Sequence, residues 1–491
     1  MNEMKESKHS VKYNFFMNFI LTASSFLFPL ITFPYVSRVL GAAGNGKISL
    51  ASSVANYFLM VASLGIPTYG GRACAKVRDD KDELSKTAQE ILIINLICTF
   101  FVTVTYLICV ALVPRFREDN VLYLIEGIGI ILNAFGANWI FQALEQYDYI
   151  TARSILFKFL SMVLMFIFVH QKDDYLVYAL ITVLASVGSN ALNFIRLRHY
   201  ISFRHFSHYQ FRRHLKPIFI LFAQNATVSV YTNLDTVMLG FIKGDVDVGL
   251  YNAAVKVKAI LVSVVTSLGN VLLPRMSYYV RYGAKDEFYK LMSKALNATL
   301  LMSLPLTAYF VLMSKDSILF LAGSEYLGAV AAMQIITFAV IPNGLTGVLG
   351  VQVLTPLGKE KYVLYSVTFG AVSDFVLNCF MIPKWGASGA ALATAIAEFI
   401  VLVVQLYYCR EYLPYVKKQI HLFRYFIFSI LSMLPAVLLL QLPIASAFLR
   451  LLITVVAFGA VYGTLLFASK DEFLTSALQS RFMHKNRAKE Q

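Results

Sequence analysis

Soluble sequence is what this chain of 491 residues has least of. No polar stretch exceeds about 21 residues, which leaves no room for a soluble catalytic or nucleotide-binding domain. Charged residues are only 14% of the chain, against 58% hydrophobic ones. Cysteine is scarce too: Cys74, Cys98, Cys109, Cys379 and Cys409 are scattered, none in CxxC spacing. That excludes a disulfide framework and a structural zinc site, and they read as small buried hydrophobes. The first apolar run is too long, and too short of a small-residue cleavage site, for a removed signal peptide. The run from Gly41 to Ile48 nearly matches a phosphate loop, but Ile48 stands where a hydroxyl would ligate magnesium and no strand precedes it. ATP is therefore not expected to power this chain, and the glycines read as a short outer turn between helices.

What is present is hydrocarbon. Apolar runs fall near 14–37, 48–70, 91–113, 121–144, 154–170, 175–195, 217–242, 248–273, 295–314, 327–357, 362–382, 387–409, 422–443 and 449–468. Each is close to the roughly 20 residues that carry a helix across a bilayer. Their composition is continuous rather than alternating, so they are helices and not barrel strands. The expectation is an all-α polytopic membrane protein of about 14 transmembrane helices. The tenth run is long enough to bend or re-enter at Pro342 and Gly344.

The net charge of +15 is unevenly placed. Roughly thirty of the lysines and arginines fall in the termini and even-to-odd loops and fewer than ten in the opposite loops, so both termini are expected to be cytoplasmic. The largest clusters, Arg72–Lys86, Arg196–Lys216 and Arg275–Lys294, suit membrane lipids with anionic headgroups, not nucleic acid. His199, His205, His208 and His214 share one basic loop, expected to be solvated rather than metal-binding.

The chain also echoes itself. Leu40-Gly41, Gly44, Gly46, Ser63-Leu64-Gly65 and Pro67 return as Leu239-Gly240, Gly244, Gly249, Ser267-Leu268-Gly269 and Pro274. Two parallel six-helix repeats follow, an N-lobe over 1–210 and a C-lobe over 211–415. Helices 13–14 and a basic tail occupy 416–491. Such repeats are a transporter architecture, with substrate between the halves.

Charge inside a bilayer costs about 2.5–3.5 kcal/mol per residue on insertion scales, so each instance is a functional candidate. Asp374 and Asn378 are four apart on one helix face, as are Thr394 and Glu398 on the next span, while Asp235 lies in span 7. Helical rise puts Asp374 and Thr394 at ~18–20 Å from the cytoplasmic boundary and Asp235 at about 27 Å. Their oxygens suit a hard cation, and a carboxyl alternatively holds a proton. Basic candidates for a diphosphate or sugar are Arg38, Arg72, Arg153, Lys158 and Lys256. Lys256 and Lys258 are two apart and cannot face one cavity together, so only Lys256 is taken.

Several stretches in order resemble one family. They are Phe33-Pro34-Tyr35-Val36-Ser37-Arg38-Val39-Leu40-Gly41, Gly65-Ile66-Pro67-Thr68-Tyr69-Gly70-Gly71-Arg72, and Asn138-Trp139-Ile140-Phe141-Gln142 continuing to Arg153-Ser154. Asn233-Leu234-Asp235-Thr236-Val237-Met238-Leu239-Gly240, followed by Gly249-Leu250-Tyr251, completes the set. Together they resemble the polysaccharide (oligosaccharide) flippases of the multidrug/oligosaccharidyl-lipid/polysaccharide exporter superfamily. The resemblance implies fourteen helices in two lobes around a positively lined cavity. It implies alternating access that moves undecaprenyl-diphosphate-linked oligosaccharide to the periplasmic leaflet of a bacterial cytoplasmic membrane, coupled to Na+ or H+, for O-antigen or capsule. It implies no other cofactor, with further polysaccharide-assembly membrane proteins as partners. Related peptidoglycan-precursor flippases carry a sodium site whose residue types map onto Asp235, Asp374, Asn378 and Thr394. Glu398 has no counterpart there, and it leaves proton coupling open. The central arginines of those relatives have no equivalents, because Asn18, Thr22 and Ser25 occupy the middle of span 1. The competing readings are a drug exporter, expected to stop at twelve spans, and a membrane-integral polymerase or glycosyltransferase. The latter needs a general acid or base that the short outer loops do not supply.

Overall fold

Helix is the one way this composition can satisfy its backbone in hydrocarbon, and helix is what it forms. The structure, a computed structural model, describes residues 11–206, 208–267 and 269–471. Leu268 and the basic tail beyond Asp471 lie outside the described residues. Two compact units divide the chain, Met1–Gly249 and Leu250–Gln491.

The first unit opens with α1 (Val11–Ser63), two limbs joined at Gly41, whose φ of 68° the missing Cβ permits. The expected outer turn is thus a single-residue kink, with helix on both sides. After α1 come α2 (Ile66–Lys76), α3 (Lys81–Leu112), α4 (Pro114–Arg117), α5 (Asn120–Ala134) and α6 (Asn138–Ala143). The unit continues through α7 (Tyr147–Phe168), α8 (Tyr175–Val183), a π turn at Leu184–Gly188, α9 (Ser189–Tyr200) and α10 (Arg212–Ile242). Asp80 starts α3 by accepting from the backbone N–H groups of Asp82 and Glu83.

The remaining helices are α11 (Asp245–Thr266), which begins at the end of the first unit, α12 (Gly269–Arg281), α13 (Lys285–Leu312), α14 (Ser314–Leu321), α15 (Ala329–Thr337) and α16 (Val340–Thr346). A π segment (Gly347–Leu354) leads to α17 (Glu360–Tyr408), α18 (Leu413–Val416), α19 (Leu422–Leu440) and α20 (Ala447–Ala468). Gly386, at φ 52°, splits α17 into two limbs. The bend expected at Pro342 and Gly344 is displaced from them. Helix breaks at Phe338–Ala339, and Pro342 then sits in the first turn of α16, where no backbone N–H is required. Helices α19 and α20 are no loose appendage. Tyr309 of α13 bonds Leu451 O and Thr454 of α20, and Tyr462 donates to Leu301 O.

Eleven helical stretches among the described residues are long and apolar enough to cross a membrane. One is the 61-residue stretch containing the Gly41 kink and another is the 49-residue α17. With each counted as two limbs, and with the 31-residue α10, the architecture is consistent with fourteen passages. Large apolar side chains point outward along them, among them Phe100, Phe380 and Phe423. In water such faces would associate, whereas hydrocarbon solvates them. The protein is a multi-pass membrane protein. Of the cysteines, Cys74 and Cys409 are buried as expected, but Cys379 is exposed on one of these faces.

The repeated glycines have a packing reason. A Cβ on Gly46 would sit 1.7 Å from the carbonyl oxygen of Asp245, and one on Gly249 would sit 2.0 Å from that of Ala42. Backbone, not a movable side chain, occupies the space. Gly46→Ala is therefore expected to cost about 1–3 kcal/mol. It should appear as a lower unfolding midpoint in detergent, while Gly459→Ala, which meets nothing within 4 Å, leaves the midpoint unchanged.

Candidate functional site

Polar side chains in α1 fall in step with the helix. Asn18, Thr22 and Ser25 recur at i, i+4 and i+7, so they share a face, and all three are exposed. Thr22 and Ser25 return their hydroxyls to the carbonyls of Asn18 and Leu21. From α7, Lys158 reaches the same stripe and donates to Ser24 at 3.0 Å and Ser25 at 2.9 Å. Among the described residues its partners are these two hydroxyls and no carboxylate, which keeps its charge available to an anion.

The middle of α10 is more polar still. Asn225, Thr227, Ser229, Thr232, Asn233 and Asp235 follow within three turns, and this helix alone among the long ones falls short of the hydropathy of a span. Asn225 and Thr232 are exposed, whereas Asp235 and Thr236 are buried. Tyr57 of α1 donates to Val230 O, fixing the helix at that level. Asn225 and Thr232 escaped the sequence reading, although polar residues recurring through an apolar span are a visible signal.

The other basic candidates differ in setting. Arg38 is exposed and donates to Pro34 O, one turn back. Arg72 is exposed on α2. Arg153 is buried at 6% exposure and turned into the first unit, where it donates to Asn138 at 2.9 Å and Ser189 O at 3.4 Å. Asn193 donates to that same Asn138 oxygen, and Tyr149 stacks beside the guanidinium. This network closes the break between α5 and α6, where Ala137 adopts a left-handed φ of 44°.

In the second unit, Asp374 and Asn378 are both fully buried on the first limb of α17. Thr394 and Glu398 lie buried on its second limb. Small residues let the limbs close together. A Cβ on Gly370 would lie 2.3 Å from Val401 Cγ2, and one on Gly389 would lie 2.3 Å from Met381 O. Gln405 donates to Ser366 across the limbs. Helix α11 brings Tyr251 to Thr394 at 3.0 Å and Lys258 to Glu398 at 3.7 Å. Lys256 is half-buried on another face of α11. The lysine set aside from the sequence is thus the partner of the carboxylate that had no counterpart. Asp235 belongs to the first unit and Asp374, Asn378, Thr394 and Glu398 to the second. Carboxylate, amide and hydroxyl oxygens are donors that fit an alkali cation. Among the described residues no group of three or more His, Cys, Asp or Glu could hold a metal ion.

The loop histidines divide. His199, His205 and His208 are exposed, but His214 is buried at the start of α10. Glu90 accepts from His214 at 2.6 Å, from Arg213 and from the Gln210 backbone N–H, while His214 also meets Tyr69 at 2.8 Å. The expected solvated loop is therefore pinned at its end. Burial holds the imidazole below its ordinary range, with Glu90 partly offsetting this. The unfolded chain then binds the extra proton first, so stability falls as pH drops through the ordinary value, near about 6.5. Unfolding midpoints should decline between neutral and mildly acid pH, and His214→Gln should flatten that decline.

A family model described as "Polysaccharide biosynthesis protein" matches residues 11–280, and one described as "MatE" matches 221–380. A protein of Escherichia coli K12 described as a putative O-antigen transporter is 25% identical over 411 residues, covering 83% of this chain and 99% of its own. A probable low-salt glycan biosynthesis flippase of Haloferax volcanii is 23% identical over 37% of this chain and 38% of its own. Among solved structures, the lipid II flippase MurJ in an inward closed conformation superposes with a TM-score of 0.76 at 14% identity. It covers 93% of this chain and 99% of that one. An inward-facing multidrug resistance transporter gives 0.61 over 80% and 96%. These last two likenesses concern the fold.

Proposed function

Because the chain belongs to the polysaccharide biosynthesis protein family, we propose that it carries an undecaprenyl-diphosphate-linked oligosaccharide from the cytoplasmic to the outer leaflet of a bacterial cytoplasmic membrane. It is a membrane transporter and not an enzyme. The E. coli relative is described as a transporter of O-antigen over nearly its whole length, which supports a lipid-linked glycan as cargo. O-antigen and capsule precursors share the diphosphate on which this reading rests.

The observation that carries the reading is the exposed polar stripe of Asn18, Thr22 and Ser25 with Lys158 held against it. Polar groups facing hydrocarbon are costly, so an exposed polar face within a span is best matched to a wet path. Hydroxyls and amides suit sugar hydroxyls, and the lysine suits a diphosphate. The lobes 1–210 and 211–415 would alternate access around this path, with both termini cytoplasmic. Membrane lipids surround the transporter, and other polysaccharide-assembly proteins would hand over and receive the glycan.

Transport against a gradient needs coupling. Asp374, Asn378 and Thr394 of the second unit would hold a sodium ion, or the carboxyls of Asp374 and, separately, Asp235 would each hold a proton. Either species neutralises buried acid that otherwise opposes movement through a low-dielectric interior. Lys158→Met is expected to slow flipping about tenfold, the worth of one charge-assisted hydrogen bond to phosphate. The readout is leaflet accessibility of the sugar to an impermeant reagent in proteoliposomes. An unchanged rate removes Lys158 from the path.

The match of the MatE model to 221–380 favours one other reading, a cation-coupled drug exporter. A growth assay with toxic organic cations separates the two.

A further inference from the structure

One buried acid belongs to none of the groups above. Glu126 lies on α5, six residues into a helix that crosses the membrane. Its side chain is buried at 8% exposure. Among the described residues its hydrogen-bond partner is Ser52 of α1, which donates to Oε1 at 2.6 Å.

Among the described residues Glu126 forms no ion pair. From the apolar part of α3, residues 91–112, the titratable groups are Tyr106, Cys98 and Cys109. Tyr106 donates to Tyr123 O and Cys98 to Val61 O. Helix α8 offers Tyr175, which donates to Asp119, and Tyr178. Lys47, at the head of the second limb of α1, pairs with that same Asp119 at 2.9 Å. Arg115 on α4 is taken by Glu118 and Asp245. Among the described residues Lys47 and Arg115 are matched to carboxylates at the helix ends and Arg117 donates to Ala111 O, while Glu126 is met by a hydroxyl.

A carboxyl in that position has two routes to neutrality, an ion pair or a proton. The first is not made among the described residues. We propose that Glu126, with Ser52 as its hydrogen-bond partner, is a proton-binding site inside the first unit. No bond other than O–H is made or broken: the carboxylate takes up a proton from water and returns it. This gives the first unit an exchangeable proton on α5, at a carboxyl distinct from Asp235 and from the acids of the second unit. Any part it plays in driving transport rests on the function proposed above, but proton binding itself does not.

Infrared difference spectroscopy of the full-length protein in lipid, taken between acid and alkaline buffer, tests the site. The wild type should show a protonated-carboxyl stretching band that Glu126→Gln lacks. Ser52→Ala should keep the band and shift it to higher frequency, because a hydrogen bond to the carboxyl is lost. The small Ser52→Ala change leaves the packing in place, so it reports even if the Gln variant folds poorly. A full set of bands in Glu126→Gln, or an unshifted band in Ser52→Ala, overturns the assignment. Failure of the wild type to move lipid-linked glycan would instead count against the proposed function and leave the band untouched.

Discussion

Asp374→Ala is expected to reduce transport of lipid-linked oligosaccharide to background while the protein accumulates normally in the membrane. The carboxyl is fully buried, one turn from the equally buried Asn378 on the first limb of α17. Burying an acid in a membrane costs about 2.5–3.5 kcal/mol on insertion scales. Normal accumulation in the membrane is what separates loss of coupling from loss of fold in this variant. If the carboxyl binds the coupling ion, the same change removes the group that the gradient acts on. The comparison to make is export in cells lacking the native protein, normalised to membrane abundance. Asp374→Asn keeps the shape and loses the charge, so it should fail in the same way. Normal export by both variants would take Asp374 out of coupling.

Lys258→Met should have the second-largest effect, and on stability rather than export alone. Lys258 and Glu398 are 3.7 Å apart, with side chains 15% and 9% exposed. Removing one partner of a buried pair leaves the other charge uncompensated, at a cost of about 3–5 kcal/mol. Replacing both with apolar residues of similar size is often neutral. Lys258→Met should therefore lower the unfolding midpoint in detergent sharply, and Lys258→Met with Glu398→Met should restore most of it. The double variant also sorts the role of Glu398. If the pair joins α11 to α17 and nothing more, the double variant transports. Should Glu398 carry a proton in the cycle, the double variant is stable and inactive.

Much of this was legible in the sequence because the bilayer imposes one rule on every span. Runs of about twenty apolar residues recur as helices at the places expected, and kinks at Gly41 and Gly386 mark two of the reversals. Glycines 46 and 249 were noticed as part of a repeat, but their reason, backbone meeting backbone, needs three dimensions. The acids and lysines were visible one by one because each is rare in hydrocarbon. Pairings were not: helical periodicity gives a residue's face, but not which helix lies opposite. That is why Lys258 was passed over and His214 was left in solvent. Arg153 shows the same limit, since spacing marked it as a basic residue at a membrane mouth while packing turned it inward to Asn138. Glu126 was missed for a different reason. It is isolated in its run, with no second acid at i+4 to draw attention.

The central claim is that this chain moves a diphosphate-linked glycan between leaflets at the expense of an ion gradient. Purified protein in liposomes loaded with undecaprenyl-diphosphate oligosaccharide tests it most directly. Leaflet accessibility of the sugar would be followed with and without imposed sodium and pH gradients. The account predicts movement that requires one of the two gradients and disappears in Asp374→Ala. Glycan that stays in its leaflet under every gradient, with correctly folded protein, would contradict it.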